Sequence, residues 1–473
     1  MEWWVRPLAF ALGGAPPGAA AWARREYPIL PSPGNVIHFP VAGACTVGAD
    51  NPLRTRHARR VTATEDVRCC IVGCGPAGAV LGLLLARAGV RVVVLEKHAD
   101  FLRDFRGDTI HPSTLEILND IGLADSFLQL PHSQVSEFRM RLPNGTPFKV
   151  NFRSLHTRYP FVAFVPQWDF LEFITTEAKR YPTFELKLQA EVDDLLFEDG
   201  RIAGVRYRAP EGSGEIRALL TVGADGRTSR VREASRLPLV ETSPPMDVLW
   251  FRVSRRSTDV ESAELRVAPG HFFVLINRRD YWQIAHVIPK GAYERVRAEG
   301  LDAFRQSFAT GAPDLADRAT EIQDWDQIKL LTVRADRLRR WYRPGLLCIG
   351  DAAHAMSPVA GVGINVAIQD AVEAANLLWT PLRRGDVEVR HLARVQRRRE
   401  LPMRITQAFQ GIMQQWIVAP NLADARTEPS VPLILRVGAR VPVIKDLPAR
   451  IVGMGLRRTR VRAPAISTRN GYT

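Results

Sequence analysis

Apolar runs and turn residues alternate from residue 67 onward, and their order predicts alternating strands and helices. Residues 67–72 form a short apolar run, residues 76–88 an apolar stretch of helical length that Gly89 closes, and residues 91–95 a second apolar run. Helices commonly end at a glycine, and short apolar runs beside turn residues are typical of strands. The pattern therefore predicts a β-α-β unit at the start of an α/β fold.

Further elements follow along the chain. The pattern predicts helices at 112–118, 167–179 and 365–378, buried strands ending at Val222 and spanning 346–349, and a hairpin turn at 198–200. Residues from about 245 to 290 alternate as a strand-rich segment does, which indicates a separate sheet. Period-2 alternation places Trp250 and Arg252 on one face of that sheet and Leu249 and Phe251 on the other.

Residues 1–65 mix Gly, Pro, Ala and Arg without helical or strand periodicity. The stretch 7–23 is apolar enough for the middle of a signal peptide, but Pro16 and Pro17 interrupt it and Glu2 stands where positive charge is expected. We expect residues 1–65 to be an irregular extension outside the fold. The hypothesis that follows is that the native start lies near Val61.

Composition narrows the class of protein. A chain of 473 residues with 46% hydrophobic content can bury two or three domains, and it has no apolar run near the ~20 residues that span a bilayer. The net charge of +14 comes mostly from Arg, clustered at 397–399 and 457–462 without interleaved aromatics. This pattern indicates a solvated face and no nucleic-acid partner. The five cysteines have no metal-ligand spacing, and free thiols fit a reducing cytoplasm.

The first chemical motif is GCGPAG at residues 73–78, which follows a predicted strand and opens a predicted helix. Its first glycine permits the tight turn, Gly75 lets the backbone approach a pyrophosphate, and Gly78 allows close helix–strand packing. The phosphates then meet the positive end of the helix. Glu96, followed by Lys97, can accept hydrogen bonds from ribose hydroxyls. The motif predicts a dinucleotide without deciding between NAD and FAD.

Two later segments decide between those cofactors. GADGR at 223–227 follows a strand and precedes a helical stretch, and GDAAH at 350–354 is followed by Ser-Pro at 357–358 and GVGIN at 361–365. With the first motif, they resemble the para-hydroxybenzoate hydroxylase class of FAD-dependent monooxygenases, which includes ubiquinone-biosynthesis hydroxylases. The resemblance covers about residues 67–401, and RGDTIHP at 106–112 also resembles a loop of that family.

The resemblance implies a fold and a domain plan. It implies an FAD-binding Rossmann-like domain of the glutathione-reductase type, with an inserted β-sheet substrate domain and a C-terminal helical segment. We assign residues 66–136, 161–243 and 334–400 to the FAD-binding domain, 137–160 and 244–333 to the substrate domain, and 401–473 to a helical, basic segment.

The resemblance also implies roles for single residues. Glu96 would bind the adenosine ribose, Arg106 and Gln167 would contact FAD near its phosphates and ribityl chain, and Asp351 would hold a ribityl hydroxyl. Asp225 lies in a segment tied to both FAD and NAD(P)H. The candidate cofactor-binding residues are Gly73, Gly75, Gly78, Glu96, Lys97, Arg106, Gln167, Asp225, Gly226, Gly350, Asp351, Pro358, Gly361, Gly363, Ile364 and Asn365, and the candidate catalytic residues are Arg106 and Pro358.

The segment from Pro358 to Asn365 would lie against the flavin ring, and simple electrostatics supports this placement. A Gly-rich loop that leads into a helix presents unpaired N–H groups and partial positive charge. Reduced flavin is anionic, and a helix start near it stabilises the charge by ~0.3–1 kcal/mol. His354, beside the turn, is expected to pack and not to act as a base.

The activity implied by the resemblance is hydroxylation of an aromatic or other hydrophobic small molecule. NAD(P)H would reduce the flavin, dioxygen would form a flavin hydroperoxide, and that species would transfer OH to the substrate. The cofactor carries the difficult chemistry, so the chain needs no nucleophile–base set. The sequence has no second strand–GxGxxG–helix unit, so NAD(P)H would bind without its own Rossmann domain.

Substrate residues are sought on the separate sheet, whose aromatic content suits a hydrophobic ring. The candidates are Trp250, Arg252, Phe273, Gln283 and His286, with Phe272 and Trp282 nearby. Each of them could instead fill the core. Alternation leaves open which face of the sheet meets the flavin.

Three alternatives remain. An isoprenoid-type flavin reductase would share these features, whereas a halogenase would show Trp-x-Trp-x-Ile-Pro where this chain has IAHVIP at 284–289. A basic protein with a vestigial flavin would bind anionic surfaces in a salt-dependent manner. We expect a cytoplasmic monomer or homodimer without a metal, and leave peripheral membrane contact open.

Overall fold

The structure, a computed structural model, describes residues 67–102, 108–141, 148–242, 244–260, 263–268, 270–423 and 446–466. These residues belong to one compact unit that spans residues 61–473. The predicted extension at 1–65 and the candidate Arg106 lie outside the described residues.

The described residues form strands of 2 to 12 residues. In chain order they are β1 (Val67–Val72), β2 (Val92–Leu95), β3 (Thr109–Ile110), β4 (Ser133–Val135), β5 (Glu137–Arg141), β6 (Phe148–Asn151), β7 (Val162–Phe164), β8 (Phe184–Lys187), β9 (Glu191–Glu198), β10 (Arg201–Ala209), β11 (Gly212–Gly223), β12 (Leu239–Thr242), β13 (Met246–Ser254), β14 (Ala263–Ala268), β15 (His271–Asn277), β16 (Tyr281–Pro289), β17 (Lys329–Leu331), β18 (Ala335–Leu338), β19 (Tyr342–Arg343) and β20 (Leu346–Cys348).

The two longest helices of the described residues, of 22 and 25 residues, follow one another late in the chain. In chain order the helices are α1 (Pro76–Arg87), α2 (Pro112–Asp120), α3 (Ala124–Phe127), α4 (Gln167–Ala178), α5 (Arg230–Ser235), α6 (Tyr293–Ala298), α7 (Leu301–Gly311), α8 (Gly363–Arg384), α9 (Val389–Met413), α10 (Ala419–Ala423) and α11 (Leu447–Met454). Short 3-10 turns lie at Phe152–Ser154, Pro313–Glu321, Trp325–Gln327, Gly350–Ala352 and Val359–Gly361, and a π turn lies at Gln414–Val418.

The first sheet has the strand order β19-β20-β11-β1-β2-β8, with β9 and β10 extending from β11 as a hairpin. The pairs β20–β11, β11–β1, β1–β2 and β2–β8 are parallel. Helix α1 packs between α4 and α8 against this sheet. Strands covered on their faces need apolar side chains at successive positions, which is why β2 is four buried aliphatic residues.

The second sheet has the order β17-β13-β16-β15-β14-β5-β6. All its pairs are antiparallel except β14–β5. On one face of this sheet, which we call the outer face, Leu249 and Phe251 pack against Phe304 and Phe308 of α7. On the opposite, inner face, Val248 belongs to a cluster that also includes Val359.

The predicted elements match the structure closely where local signals are strong. Strand β1 has the predicted bounds, and α1 ends one residue before Ala88, with Gly89 at φ 73°. Two predictions need correction. Helix α8 is longer than the predicted 365–378 at both ends. It continues through Pro381 in its last turn, and Gly385, at φ 81°, ends it. Helix α9 runs through the boundary drawn between residues 400 and 401.

The arginine clusters are not simply solvated. Arg399 is 1% exposed and belongs to an internal ion pair, which corrects the expectation for 397–399. In the C-terminal cluster, Arg460 contacts Glu116 and Asp120 of α2, and Arg462 lies 3.8 Å from Glu373 of α8. Those arginines attach the C-terminal segment to the body of the protein. Among the described residues, we find no helix with the length and apolar character that crossing a membrane demands.

Candidate functional site

Three motifs meet at the carboxyl edge of the first sheet. In the parallel register, Val72 of β1 pairs with Gly223 of β11 and with Leu95 of β2, and Gly223 pairs with Cys348 of β20. The residues that follow each of those strands are therefore neighbours. GCGPAG, Glu96, GADGR and GDAAH all begin at this edge, where open α/β sheets bind ligands.

The glycines of the first motif are required for two different reasons, packing within the protein and space for a ligand. A Cβ on Gly73 would lie 2.5 Å from Ala224 O, and one on Gly78 would lie 1.9 Å from Gly73 O. Packing within the protein therefore requires glycine at those two positions. A Cβ on Gly75 would meet nothing closer than Ala224 O at 4.0 Å. The protein leaves the space at Gly75 free, as a backbone approach by a pyrophosphate requires.

Glu96 stands beside that turn. Its carboxylate accepts hydrogen bonds from the backbone N–H of Cys74 at 3.0 Å and of His98 at 3.2 Å, and the residue is 8% exposed. A carboxylate oxygen can accept more than one hydrogen bond, which is the chemistry that a ribose hydroxyl requires. Lys97 is exposed.

The acids of the second and third motifs lie in different surroundings. Asp225 accepts hydrogen bonds from Ser229 Oγ at 2.5 Å and Val231 N at 3.1 Å, so it fixes the start of α5, and burial raises its pKa. Next to it, Gly226 has φ 84° with open space around its Cβ position. Asp351 of the third motif faces Arg227 Nε at 3.1 Å, and both side chains are 29% exposed. This pair is half-buried.

A buried network that the sequence analysis did not identify supports the third motif. Asp370 of α8 accepts hydrogen bonds from Gly350 N at 3.1 Å and Arg399 Nε at 2.7 Å, and lies 2.6 Å from His354 Nε2. Burial alone would raise the pKa of Asp370, but His354 and Arg399 together hold it below its usual value. A charged residue on the buried side of a helix is the signal that could have revealed this network.

The turn before α8 has an unusual backbone. Ala360 and Gly361 have φ 65° and 60°, and a Cβ on Gly361 would lie 2.6 Å from Thr109 Oγ1. Thr109 Oγ1 instead donates to Gly361 O at 2.7 Å. Pro358, half-buried, opens this turn, and α8 begins at Gly363, followed by Ile364. The helix start, with its partial positive charge, lies two residues before the predicted start at 365.

Asn365 does not offer its side chain to a ligand. Its Oδ1 accepts from His111 N and Thr114 Oγ1, both at 2.8 Å, and its Nδ2 donates to Thr109 O at 2.9 Å. The side chain joins the start of α8 to that of α2, about 250 residues earlier in the chain. It positions the turn, and a contact with a cofactor would have to come from the backbone.

Gln167 lies at the start of α4 beside a second polar cluster. Its backbone N–H bonds Asp108, which also forms an ion pair with Arg278. Burial raises the pKa of Asp108 despite that arginine. Arg278 Nε donates to Gln283 Oε1 at 2.8 Å, so the candidate Gln283 belongs to this cluster.

The structure decides which candidates on the second sheet share a face with the turn. Trp250, Arg252, Gln283 and Phe272 lie on the inner face, where Trp250 packs with the cluster that includes Val359. The Nε1 atom of Trp250 is buried and has no hydrogen-bond partner.

Two other candidates lie on the outer face. Phe273 and His286 pair across β15 and β16, and their rings stack at a centroid distance of 4.3 Å against α7. Trp282 shares that face and donates to Asp259 Oδ2 at 3.0 Å. The structure does not bring those side chains to the face that meets the turn.

The groups at the sheet edge fit a dinucleotide. They are a glycine with open space for a phosphate, a carboxylate next to the turn, and the start of α1.

Comparison with known proteins agrees with a dinucleotide site. A family model described as "FAD binding domain" matches residues 66–408. The chain is 28% identical to a 6-methylpretetramide 4-monooxygenase of Streptomyces rimosus, over 86% of this chain and 97% of that protein.

Solved structures share the fold. A p-nitrophenol 4-monooxygenase from Pseudomonas putida superimposes with a TM-score of 0.66 at 21% identity, covering 83% of this chain and 99% of that one. A flavin-dependent brominase superimposes with a TM-score of 0.68 at 17% identity, covering 82% and 94%. The fold alone therefore does not separate hydroxylation from halogenation.

Proposed function

We propose that the substrate is an aromatic molecule with an oxygen atom that accepts a hydrogen bond. The chain belongs to the FAD binding domain family and is an FAD-dependent monooxygenase. The substrate would lie between the inner face of the second sheet and the turn that begins at Pro358. When bound, FAD accepts a hydride from NAD(P)H and activates dioxygen for transfer to the substrate. The residues of the chain bind, orient and exclude water.

The observation that carries this proposal is the unpartnered indole N–H of Trp250. A buried donor without an acceptor costs ~1–3 kcal/mol, and such groups in folded proteins usually have a reason. A substrate oxygen on the inner face would accept this hydrogen bond. Arg252 lies two residues along on the same face, with its guanidinium 5.8 Å from the centroid of the Tyr281 ring.

The cofactor side has matching residues. Glu96 would accept hydrogen bonds from the adenosine ribose, and the open space at Gly75 would admit the pyrophosphate at the start of α1. Asp351, half-buried beside Arg227, would accept a hydrogen bond from a ribityl hydroxyl. The start of α8 would stabilise negative charge on the reduced ring. Arg106 stays in this proposal as a predicted FAD contact outside the described residues.

Labelled dioxygen tests the reaction. Purified holoenzyme is incubated with NAD(P)H, isotopically labelled dioxygen and each member of a panel of phenols and polycyclic aromatics. The masses of the products are then measured by mass spectrometry. Hydroxylation adds one labelled oxygen atom to the substrate and consumes NAD(P)H. A product that gains two hydrogens and no label would instead indicate the reductase, and a halogenated product formed only with added halide would indicate a halogenase.

Trp250→Phe tests the proposed substrate contact. Loss of one hydrogen bond should raise KM roughly fivefold, on the order of 1 kcal/mol, with FAD content unchanged. Trp325→Phe is the matched control, since Trp325 packs against the outer-face cluster. An unchanged KM in Trp250→Phe would contradict the contact while leaving the labelled-oxygen result intact.

A further inference from the structure

A cavity of about 370 Å³ lies on the outer face of the second sheet, between β15–β16 and helices α6 and α7. Its wall includes His271, His286, Ala303, Phe304 and Ser307. Small-molecule pockets commonly measure ~300–1,000 Å³, so the volume suits a ring compound. The sheet itself separates the His286 and Phe304 side of this cavity from Trp250 on the inner face.

His286 is the unusual group in this wall. The residue is 6% exposed, and its ring is held by the stack on Phe273 and by Phe304 at a centroid distance of 5.7 Å. Within the part of the chain that the structure describes, its ring nitrogens have no hydrogen-bond partner. Burial, with His271 nearby, lowers the pKa of His286 to about 3, so the ring is neutral at physiological pH. A neutral imidazole offers one donor and one acceptor.

The remaining wall indicates an uncharged occupant. His271 Nδ1 already lies 3.0 Å from Ser307 Oγ, and burial lowers the pKa of His271 as well. Arg295 and Glu299 lie 3.9 Å apart with exposed side chains, so they leave no net charge at the cavity. Phe304, Val296 and Ala303 supply apolar surface for a ring.

We propose that this cavity is a second ligand site, which binds a neutral phenol-class aromatic whose hydroxyl donates to the free ring nitrogen of His286. The site is separate from the dinucleotide edge, and the proposal holds whatever the substrate of the monooxygenase is. The geometry that supports this occupant is an imidazole held by ring stacking in the wall of a cavity of ligand size.

The test uses oxidised holoenzyme without NAD(P)H and two probes, 2-naphthol and naphthalene. Histidine side chains are isotopically labelled, and the His286 signal is assigned by its absence in His286→Phe, which keeps the ring stack. Titration with 2-naphthol should shift that signal in a saturable way. His286→Phe should weaken 2-naphthol binding roughly three- to tenfold, the worth of one hydrogen bond, and leave naphthalene binding unchanged.

A second variant tests the site without relying on the folding of His286→Phe. Ala303 is exposed on α7, and Ala303→Phe should fill the cavity, abolish the shift of the His286 signal and leave FAD content intact. Trp250→Phe serves as the inner-face control and should leave the shift unchanged. Saturable binding of 2-naphthol that does not move the His286 signal, or equal affinity in Ala303→Phe and the unaltered protein, would overturn the proposal.

Discussion

Gly75→Ala separates cofactor binding from folding. Gly75 has φ −72° and ψ −176°, which any residue adopts, and the new Cβ would lie 4.0 Å from its nearest neighbour, Ala224 O. The apoprotein therefore has room for alanine. That same space is where a pyrophosphate would approach the backbone at the start of α1. We expect a folded protein that has lost FAD.

The expected magnitudes differ sharply between two glycines of one motif. Alanine at position 75 restricts the unfolded chain, which stabilises the folded protein by ~0.4–1 kcal/mol. Alanine is also a poorer N-cap for α1 than glycine, which destabilises the folded protein by a similar amount. The net change in unfolding free energy is therefore within about 1 kcal/mol. Loss of two hydrogen bonds to phosphate, ~1.5–3 kcal/mol each, would weaken FAD binding by roughly 10²–10⁴-fold.

Gly78→Ala is the matched comparison. Its Cβ would lie 1.9 Å from Gly73 O, so the backbone must move, and we expect a loss of about 3 kcal/mol or more in unfolding free energy. Urea unfolding of both apoproteins and FAD titration by absorbance supply the two measurements. If Gly75→Ala purified with a full complement of FAD at unaltered affinity, the proposed position of the pyrophosphate would be wrong.

Three further predictions concern buried and titrating charges. Arg399→Met should lower the unfolding free energy by roughly 3–5 kcal/mol in urea titrations, because it leaves Asp370 short of its buried partner. Burial is the main cause that raises the pKa of Asp169 to about 6. The ionised form of Asp169 is therefore disfavoured in the folded state. Asp169→Asn should therefore stabilise the protein at pH 8 and have no such effect below about pH 4, as thermal unfolding across pH would show. The hydrogen bond from Arg318 lowers the pKa of Asp259, which therefore adds stability above its unfolded pKa that disappears as pH falls. Asp259→Asn should flatten the acid limb of the stability curve below about pH 4.

Each of those measurements has a control or a contrary outcome. Arg404→Met removes an exposed partner of Glu400 on the same helix as Arg399 and should change stability by less than about 1 kcal/mol. Equal losses in the two arginine variants would mean that the buried pair contributes little. Stability of Asp169→Asn that followed the unaltered protein across pH would contradict the raised pKa of that acid, and an unchanged acid limb in Asp259→Asn would contradict the lowered one.

Local signals predicted the elements around the cofactor well. The apolar run at 67–72 and the helix that Gly89 closes depend on neighbours within a few residues, and so does the turn at Asp199 and Gly200, whose φ angles of 46° and 76° suit a tight hairpin. The glycine motifs are equally local, since each one reports a backbone conformation or a close approach. Those features predicted the α/β fold and FAD as the cofactor, and the residues proposed to bind FAD stay predictions.

Contacts between distant parts of the chain could not be predicted in that way. The bond between Arg399 and Asp370 joins two helices, and Asn365 reaches His111 across 254 positions. In the sequence, Arg399 belongs to a run of three arginines that is typical of a solvated face, and only the packing of α9 on α8 buries it.

The sequence by itself predicted a bound dinucleotide, because phosphate and ribose binding place demands on single backbone positions and on one acid after a strand. The resemblance carried by two later segments then identified that dinucleotide as FAD. Tertiary structure decided which face of the second sheet packs toward the turn before α8. Alternation along β13 has the same period for both faces, and both are apolar: Phe251 packs on α7, and Val248 packs on the inner cluster. A pattern that is equally hydrophobic on two faces cannot distinguish them. Their difference arises only when α7 covers one face and the turn before α8 approaches the other.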